Sequence, residues 1–341
     1  MEAAEPAPVP RFRRFLRSHH VGTAVDVATW AVVVGCAVTV VSIAGGWVVT
    51  PRLVAAQGVL PIVVGLAVVA TATAAVRRRR HALAAGAVVA LWGMGMVAPV
   101  MLSRTPPAWA DTSERLTVYS ANIRRTNTTP DLAFAAAMER DTDVVVFVEY
   151  ASSFEPALRE SGLLERYPTV VRDESLDEGL LLTRLPVNGT GVVSDAGFEM
   201  PTANVVVGST EVLVAGVHAL APSQFAYMQR WQRQVPAIAR AVDGHANSIA
   251  IGDFNSSIWN PPLRELLDWG FVDAHDATGN GLARTWGPSP TGSSVSTPIL
   301  GIDHAVSRGP DLAPLTVAEG FVPGSDHRSI EVTYAVRTSA A

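Results

Sequence analysis

The sequence predicts an α/β domain that is preceded by three transmembrane helices. Long apolar runs fill most of the first hundred residues, whereas the rest of the chain alternates short apolar strands with amphipathic helices. A strand, a helix and a second strand follow one another between residues 116 and 149, which predicts parallel neighbouring strands. The roughly 230 residues after Ala110 are enough to bury a hydrophobic core without disulfide bonds.

Composition separates the two parts of the chain and bears on its partners. The chain has 341 residues, is 48% hydrophobic and contains no lysine, so all 26 basic residues are arginine. From Asp111 onward it carries 28 acidic residues against 16 arginines, which is a poor surface for binding a nucleic-acid backbone. No stable nucleic-acid partner is therefore predicted. The single cysteine, Cys36, excludes an intrachain disulfide.

The N-terminal part predicts a multi-pass membrane anchor. Residues 1–24 form a basic tail, and residues 25–103 contain uncharged or nearly uncharged apolar runs at about 27–49, 54–76 and 82–102. Each run is long enough to cross a hydrocarbon layer about 30 Å thick. The alternative is three buried helices of a soluble domain, but it does not account for the arginine clusters beside the runs.

The arginine clusters also predict the orientation. The basic tail and residues 77–80 lie on the same side of a three-helix hairpin, and the positive-inside rule places that side in the cytoplasm. An odd number of spans then places the C-terminal domain outside the plasma membrane. Residues 104–113 form a linker, in which Ala108-Trp109-Ala110 resembles a small-x-small cleavage site that would release the domain.

Apolar patterning predicts the elements of the C-terminal domain, residues 114–337. Residues 116–120 alternate as a half-buried strand does, whereas 143–149 and 249–253 contain unbroken apolar runs, as buried strands do. Pro261-Pro262 opens a helix, because proline is accepted in a first turn. The other predicted elements are strands 179–183, 211–217, 301–306 and 330–336, helices 131–140, 152–166, 223–242 and 261–267, and a Gly/Pro/Ser/Thr-rich loop at 287–298.

Polar side chains follow the first two strands of this domain. Asn122 and Glu149 stand at the carboxyl ends of these strands, the edge at which open α/β sheets bind ligands. Glu149 follows five consecutive apolar residues, and a carboxylate so close to the core needs a partner such as a divalent cation. The alternative is a solvated residue at the rim of the sheet.

The strand around which the domain is organised ends in Gly252-Asp253-Phe254-Asn255. In extended geometry Asp253 and Asn255 project to the same side, which suits contact with a phosphate oxygen or a metal-bound water. The alternative is an Asx turn that closes the strand, because Asp and Asn both favour turns.

Two histidines and a tryptophan complete the candidate set. His218 ends a strand and is either a core histidine or a site residue. Asp326 and His327 precede the last strand, and together with Asp303 they offer a carboxylate-oriented imidazole that can act as a base near neutral pH. Trp286 either forms a wall of the substrate pocket or closes the core.

This set of residues resembles the endonuclease/exonuclease/phosphatase (DNase I-like) superfamily of metal-dependent phosphoesterases. The resemblance covers about residues 114–336 and rests on the motifs Gly-Asp-Phe-Asn, Ile-Asp-His and Ser-Asp-His in this order. It implies a four-layer sandwich of two mixed β-sheets flanked by helices, with the site on one rim. The residues that carry it are Asn122, Glu149, His218, Asp253, Asn255, Asp303, Asp326 and His327.

The resemblance also implies a role for each acidic residue. Glu149 would be the main ligand of Mg²⁺, or of Mn²⁺, with Asn122 and Asp326 close to the metal. His327, oriented by Asp303, would activate the attacking water, or would hold the phosphate if Asp253 is the base.

The remaining residues would serve the substrate. His218 and Asn255 would steady the phosphoryl oxygens, and Asp177 or Glu178 would orient His218. His304 would be a structural neighbour of Asp303.

Three membrane spans ahead of such a domain also resemble the VanJ-type membrane proteins of actinobacteria. This resemblance implies a membrane-anchored, extracytoplasmic Mg²⁺-dependent phosphoesterase that hydrolyses a phosphate ester or pyrophosphate. A lipid-linked phosphate would be the substrate, and the lipid bilayer the partner. The alternatives are an extracellular nuclease of the DNase I type and a non-catalytic binding domain on the same scaffold.

Overall fold

Four apolar helices form the N-terminal part of the computed structural model, which describes residues 19–172, 178–195, 198–288 and 297–338. α1 and the segment Arg80–Met101, which contains α4, are each long and apolar enough to cross a membrane. The predicted basic tail lies mostly outside the described residues. The helices are α1 (His19–Ala44), α2 (Pro51–Gly58), α3 (Leu60–Val76) and α4 (Arg80–Val97).

The predicted second span, residues 54–76, is not one helix. α2 and α3 meet at 82° around Val59, so the bent pair counts as a third span only if both helices are taken together. Pro61 explains the break, because its ring would clash with the carbonyl four residues earlier if a helix continued through it. Thr50 caps the start of α2, since its side chain accepts a hydrogen bond from the backbone N–H of Leu53 at 3.1 Å.

Two six-stranded mixed β-sheets form the C-terminal domain, as predicted. The strands are β1 (Glu114–Asn122), β2 (Val144–Val148), β3 (Thr169–Arg172), β4 (Gly179–Thr183), β5 (Val187–Asp195), β6 (Phe198–Val207), β7 (Thr210–His218), β8 (Ser248–Asp253), β9 (Val272–Asp273), β10 (Asp303–Arg308), β11 (Leu312–Phe321) and β12 (Arg328–Val336). The strand orders are β11-β12-β1-β2-β4-β3 and β5-β6-β7-β8-β10-β9. The pairs β1–β2 and β7–β8 are parallel, and the other pairs are antiparallel.

The two sheets pack face to face, and helices cover both outer faces. Val146 of the first sheet and Ile251 of the second belong to the same buried cluster between the sheets. Phe134 packs on the outer face of the first sheet, and Trp231 packs on that of the second. The covering helices are α5 (Pro130–Met138), α6 (Glu155–Glu160), α7 (Leu163–Arg166), α8 (Phe225–Ala241) and α9 (Pro261–Asp268), and a short helix α10 (Ala274–Ala277) follows β9.

Some elements differ from their prediction. The helix predicted over residues 152–166 is broken into a short 3₁₀ turn, α6 and α7, because Gly162 adopts a left-handed conformation with φ 78° between α6 and α7. β3, β5, β6, β9 and β11 are not among the strands predicted from the sequence. β11 is an edge strand with many partly exposed residues, so its apolar pattern is weak.

A buried polar cluster joins the apolar helices to the α/β domain. Gln57 of α2 is fully buried, and its amide nitrogen donates to the Ser42 hydroxyl at 3.0 Å and to the Trp47 carbonyl at 2.9 Å. The amide nitrogen of Asn260 donates to the Val54 carbonyl at 3.0 Å and to Oε1 of Gln57 at 3.2 Å. The helices and the domain therefore share a hydrogen-bonded core.

The buried polar cluster should contribute to the stability of the folded chain. Asn260→Ala is expected to lower the free energy of unfolding by about 1–3 kcal/mol, because buried polar groups of α2 lose their donor. Denaturant unfolding of the full chain in detergent measures the change. The exposed Asn280 provides the control, and Asn280→Ala should change the free energy by no more than about 0.5 kcal/mol. Equal effects of the two substitutions would contradict the assigned role of the cluster.

Candidate active site

The carboxyl ends of the two parallel strand pairs meet at one rim of the sandwich. Asn122 pairs with Val148 across β1 and β2, so Glu149 follows directly beside Asn122. In the second sheet Asp253 lies between His218 on one side and Asp303 on the other. The residues predicted from strand ends are thus brought to one place by strand register.

Asn122 connects the two sheets at this rim. Its buried amide nitrogen donates to Oε1 of Glu149 at 3.0 Å and to Oδ2 of Asp253 at 3.1 Å. The backbone N–H of Arg125 donates to the other carboxylate oxygen of Glu149 at 3.0 Å. Three predicted site residues therefore form one hydrogen-bonded group.

Two site residues adopt backbone conformations that are costly for any residue but glycine. φ is 53° at Glu149 and 46° at Asn255. Such conformations persist only where surrounding contacts hold them, and they cluster at functional sites. Glu149 directly follows the last residue of β2, and Asn255 lies two residues after the end of β8. At both points the chain turns sharply, which directs the side chains of Glu149 and Asn255 along the rim.

Glu178 orients His218. Oε2 of Glu178 lies 3.0 Å from Nδ1 of His218, and the guanidinium of Arg125 contacts Oε1 of Glu178 at 2.6 Å. Asp177, the alternative orienting acid, lies outside the described residues. Burial favours the neutral imidazole, but Glu178, Asp253 and Glu149 together raise the pKa of His218 above its usual value.

Glu178→Gln is therefore expected to lower the pKa of His218, because the carboxylate that stabilises the imidazolium is lost. We also expect phosphoester hydrolysis to slow roughly 10-fold, the lower end of the range for partners that orient site histidines. NMR titration of His218 and initial rates with an activated phosphodiester measure the two effects. The matched control is Glu160→Gln, at an exposed residue of α6. An unchanged pKa of His218 would contradict the assigned contact.

His327 lies between two buried carboxylates. Its Nδ1 is 3.0 Å from Oδ2 of Asp303, and its Nε2 is 3.6 Å from Oδ2 of Asp253. Burial would lower the pKa of His327, but Asp303 and Asp253 raise it to about 10. Burial raises the pKa of Asp253 to about 6, with Asp303 adding to the increase and His327 and His218 opposing it. Near neutral pH the arrangement therefore favours a protonated His327 beside an Asp253 that can exchange a proton.

Asn255 braces Asp253. Its backbone N–H donates to Oδ1 of Asp253 at 2.8 Å, and its amide nitrogen donates to the Ala219 carbonyl at 2.8 Å. The same amide nitrogen lies 3.3 Å from Oδ2 of Asp253. Contact between Asn255 and a phosphoryl oxygen, as predicted, would require one of these bonds to be replaced.

The loop before β12 is fixed to the first sheet. The Ser325 hydroxyl donates to the Asn122 carbonyl at 2.7 Å and accepts a hydrogen bond from the backbone N–H of His327 at 3.1 Å. Between these two residues, Asp326 is partly exposed, and one of its carboxylate oxygens lies 3.9 Å from Nε of Arg124. The Trp286 ring lies 6.5 Å from the His327 ring, centre to centre.

An open cleft of about 610 Å³ covers the rim. Asn122 and Asp303 lie buried beneath it. The predicted residues that line it are Glu149, His218, Asp253, Asn255, Trp286, Asp326 and His327, together with Glu178.

The cleft also has residues that the sequence analysis missed. Arg124 follows the first strand end by two positions, which is a signal that was available. Arg230 and Gln234 of α8 are four residues apart and hence on one helix face, for which no role was predicted from the sequence. Glu199 of β6 carried no signal, because β6 itself was not predicted.

The rim residues suit a hard divalent cation. Glu149 and Asp326 offer carboxylate oxygens, which are ligands that Mg²⁺ and Mn²⁺ prefer. Asn122, predicted to lie close to the metal, presents its amide nitrogen to Glu149, and its Oδ1 accepts a hydrogen bond from the backbone N–H of Arg124 at 3.0 Å. A second grouping, Asp253, Asp303 and His327, places one ligand atom of each residue within 4.8 Å of the others. Both sets lie at the rim, so the residues present fit a divalent metal.

His304 faces away from this rim. Its Nδ1 lies 2.7 Å from Oδ2 of Asp273, and both residues are buried. The contact connects β10 to the residue that caps α10, since Oδ1 of Asp273 accepts a hydrogen bond from the backbone N–H of Asp276 at 2.9 Å. His304 was expected to be a structural neighbour of Asp303. Its side-chain contact is with Asp273.

Comparisons with solved structures show the same fold. A humanised D. rerio TDP2 with 14 mutations has 17% identity and a TM-score of 0.52, and the match covers 65% of this chain and 99% of that chain. A Bacteroides thetaiotaomicron endonuclease/exonuclease/phosphatase family protein has 15% identity and a TM-score of 0.51 over 69% and 100%. A Beutenbergia cavernae endonuclease/exonuclease/phosphatase has 18% identity and a TM-score of 0.50 over 65% and 72%.

Sequence comparison points to the same group. None of the curated proteins matches this chain. The family model described as "Endonuclease/Exonuclease/phosphatase family" matches residues 118–327, which is more than half of the chain. Members of that family are typically metal-dependent phosphoester hydrolases. The matched segment begins within β1 and ends at His327, and it contains every residue of the rim described above, so this chain belongs to the endonuclease/exonuclease/phosphatase family.

Proposed function

We propose that this chain is a membrane-anchored, extracytoplasmic, Mg²⁺-dependent phosphoesterase, and that its substrate is a lipid-linked phosphate ester or pyrophosphate. The observation that supports hydrolysis most strongly is the hydrogen-bonded group at the rim. Asn122 contacts both Glu149 and Asp253, and His327 lies 3.6 Å from Asp253. A binding-only domain would not require a cation ligand set beside a carboxylate–imidazole–carboxylate array.

Glu149 and Asp326 would hold the cation, and Asn122 would orient Glu149 through its amide nitrogen. A bound divalent ion neutralises charge on the phosphoryl group and fixes its orientation. The geometry favours Asp253 as the base, because its raised pKa suits proton acceptance from water and Asn255 fixes its orientation.

His327 and His218 would then hold the phosphoryl oxygens. Asp303 accepts the Nδ1 proton of His327, which leaves Nε2 directed into the cleft. Glu178 likewise accepts the Nδ1 proton of His218, which leaves Nε2 of His218 for the phosphoryl group. Two imidazolium groups aimed at one phosphoryl group would stabilise the charge that develops during transfer.

The position of the cleft supports a lipid-linked substrate. Asn255 lines the cleft, and Asn260, five residues later, is hydrogen-bonded to α2. A chain of five residues spans at most about 18 Å, so the cleft lies close to the apolar helices. Anchoring at that distance confines the site near the head groups and raises the effective concentration of a lipid-borne substrate.

The reaction can be tested with the full chain in detergent. With Mg²⁺ we expect release of phosphate from a polyprenyl pyrophosphate and slower hydrolysis of an activated phosphodiester. We expect little hydrolysis of double-stranded DNA, because the domain is acidic. Faster cleavage of DNA than of the pyrophosphate would favour the nuclease alternative, and no hydrolysis of any substrate with Mg²⁺ or Mn²⁺ would favour the binding domain.

The proposed topology is tested separately. A reporter that is active only outside the cytoplasm should be active when it is fused after Ala341, since three crossings would separate it from the N-terminus. Alanine substitution of the four arginines at residues 77–80 should disturb the orientation and leave the catalytic residues intact, because it removes the positive charge that retains this loop. An inactive fusion, together with activity of a second reporter that works only in the cytoplasm at the same position, would contradict the proposed orientation.

A further inference from the structure

The face of the α/β domain beside the ends of α3 and α4 has an unusual composition. Leu282 and Ile299 are 36% and 39% exposed, and Trp269, just after α9, is 45% exposed. Arg264 and Arg284 lie in the same region, in an otherwise acidic domain, and neither forms an ion pair with a described residue. We name Arg264, Leu282, Arg284 and Ile299 the membrane-proximal face, and Trp269 directly follows Asp268, which lines the same groove as Arg264.

The location of this face follows from its contacts with the helices. Leu282, Arg284 and Ile299 line a small depression together with Val59 and Ile62, at the start of α3. Gly58 approaches the domain so closely that an added Cβ would lie 2.8 Å from the Leu300 side chain. The face is therefore level with the end of α3 that lies opposite residues 77–80.

A larger groove lies between α9 and the end of α4. Its volume is about 420 Å³, and its walls are formed by Met96, Leu102 and Leu267. Arg264 lines this groove, and Arg104 at its edge pairs with Asp276. The groove combines these apolar walls with Arg264, Asp268 and the Arg104–Asp276 pair. An acyl chain would contact its apolar side, and a lipid phosphate would lie next to the Arg264 guanidinium.

The backbone holds this region firmly against the helices. The N–H of Gly281 donates to the Val100 carbonyl at 2.9 Å, and the N–H of Arg104 donates to the Ala277 carbonyl at 2.8 Å. Val100, Ile258 and Trp259 belong to one buried cluster with side chains of α1 and α3. The membrane-proximal face is thus held at a fixed height relative to the helices.

We propose that the membrane-proximal face is a lipid-docking surface that rests on the head-group layer of the bilayer. Exposed tryptophan and aliphatic side chains beside arginine are typical of this layer, where rings and guanidinium groups meet lipid phosphates. The occupant is phospholipid. This inference rests on the proposed anchoring, and it adds that the domain touches the membrane and does not hang from a linker.

The single native cysteine allows a direct test in the full chain. In a Cys36→Ala background, Leu282→Cys carries an environment-sensitive fluorophore, and the protein is placed in phosphatidylglycerol–phosphatidylcholine vesicles with lipid spin-labelled near the head group. The matched control is Val170→Cys on β3, which is 40% exposed. β3 is the edge of the first sheet opposite β11.

We expect the spin-labelled lipid to quench the label at Leu282 several-fold more than the label at Val170. A second control, Leu91→Cys, reports on anchoring, because Leu91 is 66% exposed on α4. Quenching at Leu91 without quenching at Leu282 would overturn lipid docking and leave the anchor and the proposed hydrolysis standing. Absence of quenching at both positions would overturn the anchoring itself, and with it the docking.

Discussion

Glu149→Gln is expected to lower the rate of Mg²⁺-dependent phosphoester hydrolysis about 10³-fold, since a metal supplies several kcal/mol of charge stabilisation and each 1.4 kcal/mol is tenfold in rate. Glu149 offers one oxygen to Asn122 and the other to the backbone N–H of Arg125. The amide of glutamine preserves the size and one acceptor but removes the charge that would retain the cation. The effect should therefore fall on metal binding and not on folding.

Two measurements separate these effects. Initial rates as a function of Mg²⁺ concentration should show a higher requirement for the ion, and circular dichroism should be unchanged. Glu160→Gln removes the same charge from an exposed position of α6 and should leave both measurements as in the unsubstituted chain. Full activity of Glu149→Gln at low Mg²⁺ would remove Glu149 from the mechanism.

His327→Asn is expected to cost about 10²- to 10³-fold in rate, the range for removing one donor that stabilises charge on the reacting oxygens. Nδ1 of His327 is held by Asp303, while Nε2 faces both Asp253 and the cleft. Asparagine can keep the contact with Asp303 but cannot reach across to the phosphoryl group. The loss should therefore appear in the chemical step, at unchanged Mg²⁺ affinity.

The contact between Asp303 and His327 predicts how substitutions of the two residues combine. Asp303→Asn should produce part of the same loss, and the double substitution should be no worse than His327→Asn alone, because both residues act through one imidazole. His245→Asn, at an exposed turn, is the matched control. Additive losses would show that Asp303 acts independently of His327.

Much of the candidate site was predictable because its residues stand at strand ends. A buried strand flanked by a helix and a second strand leaves its polar end residues at the carboxyl edge of the sheet. Asn122, Glu149 and Asp253 could be placed at such edges from local sequence alone. The two mixed sheets followed from the family resemblance and are observed in the structure.

Other features depended on contacts between distant parts of the chain. Glu178 could not be distinguished from Asp177 by sequence, because the choice depends on how β4 and β7 face each other. The contact between Asn122 and Asp253 joins residues 131 positions apart and exists only because the sheets pack together. Arg230 reaches the cleft because α8 packs along the second sheet, and nothing in its own helix indicated this.

The sequence by itself determined the division into an apolar helical part and an α/β domain, and the identity of the polar residues at the strand ends. Local patterning is sufficient for these features because burial and periodicity act over a few residues. Only the tertiary structure decided that α2, which is separated from α3 by the break that Pro61 causes, is held by Asn260 of the domain. Such a junction is stabilised by a few buried hydrogen bonds between segments about 200 residues apart, and local sequence carries no signal for long-range partners of this kind.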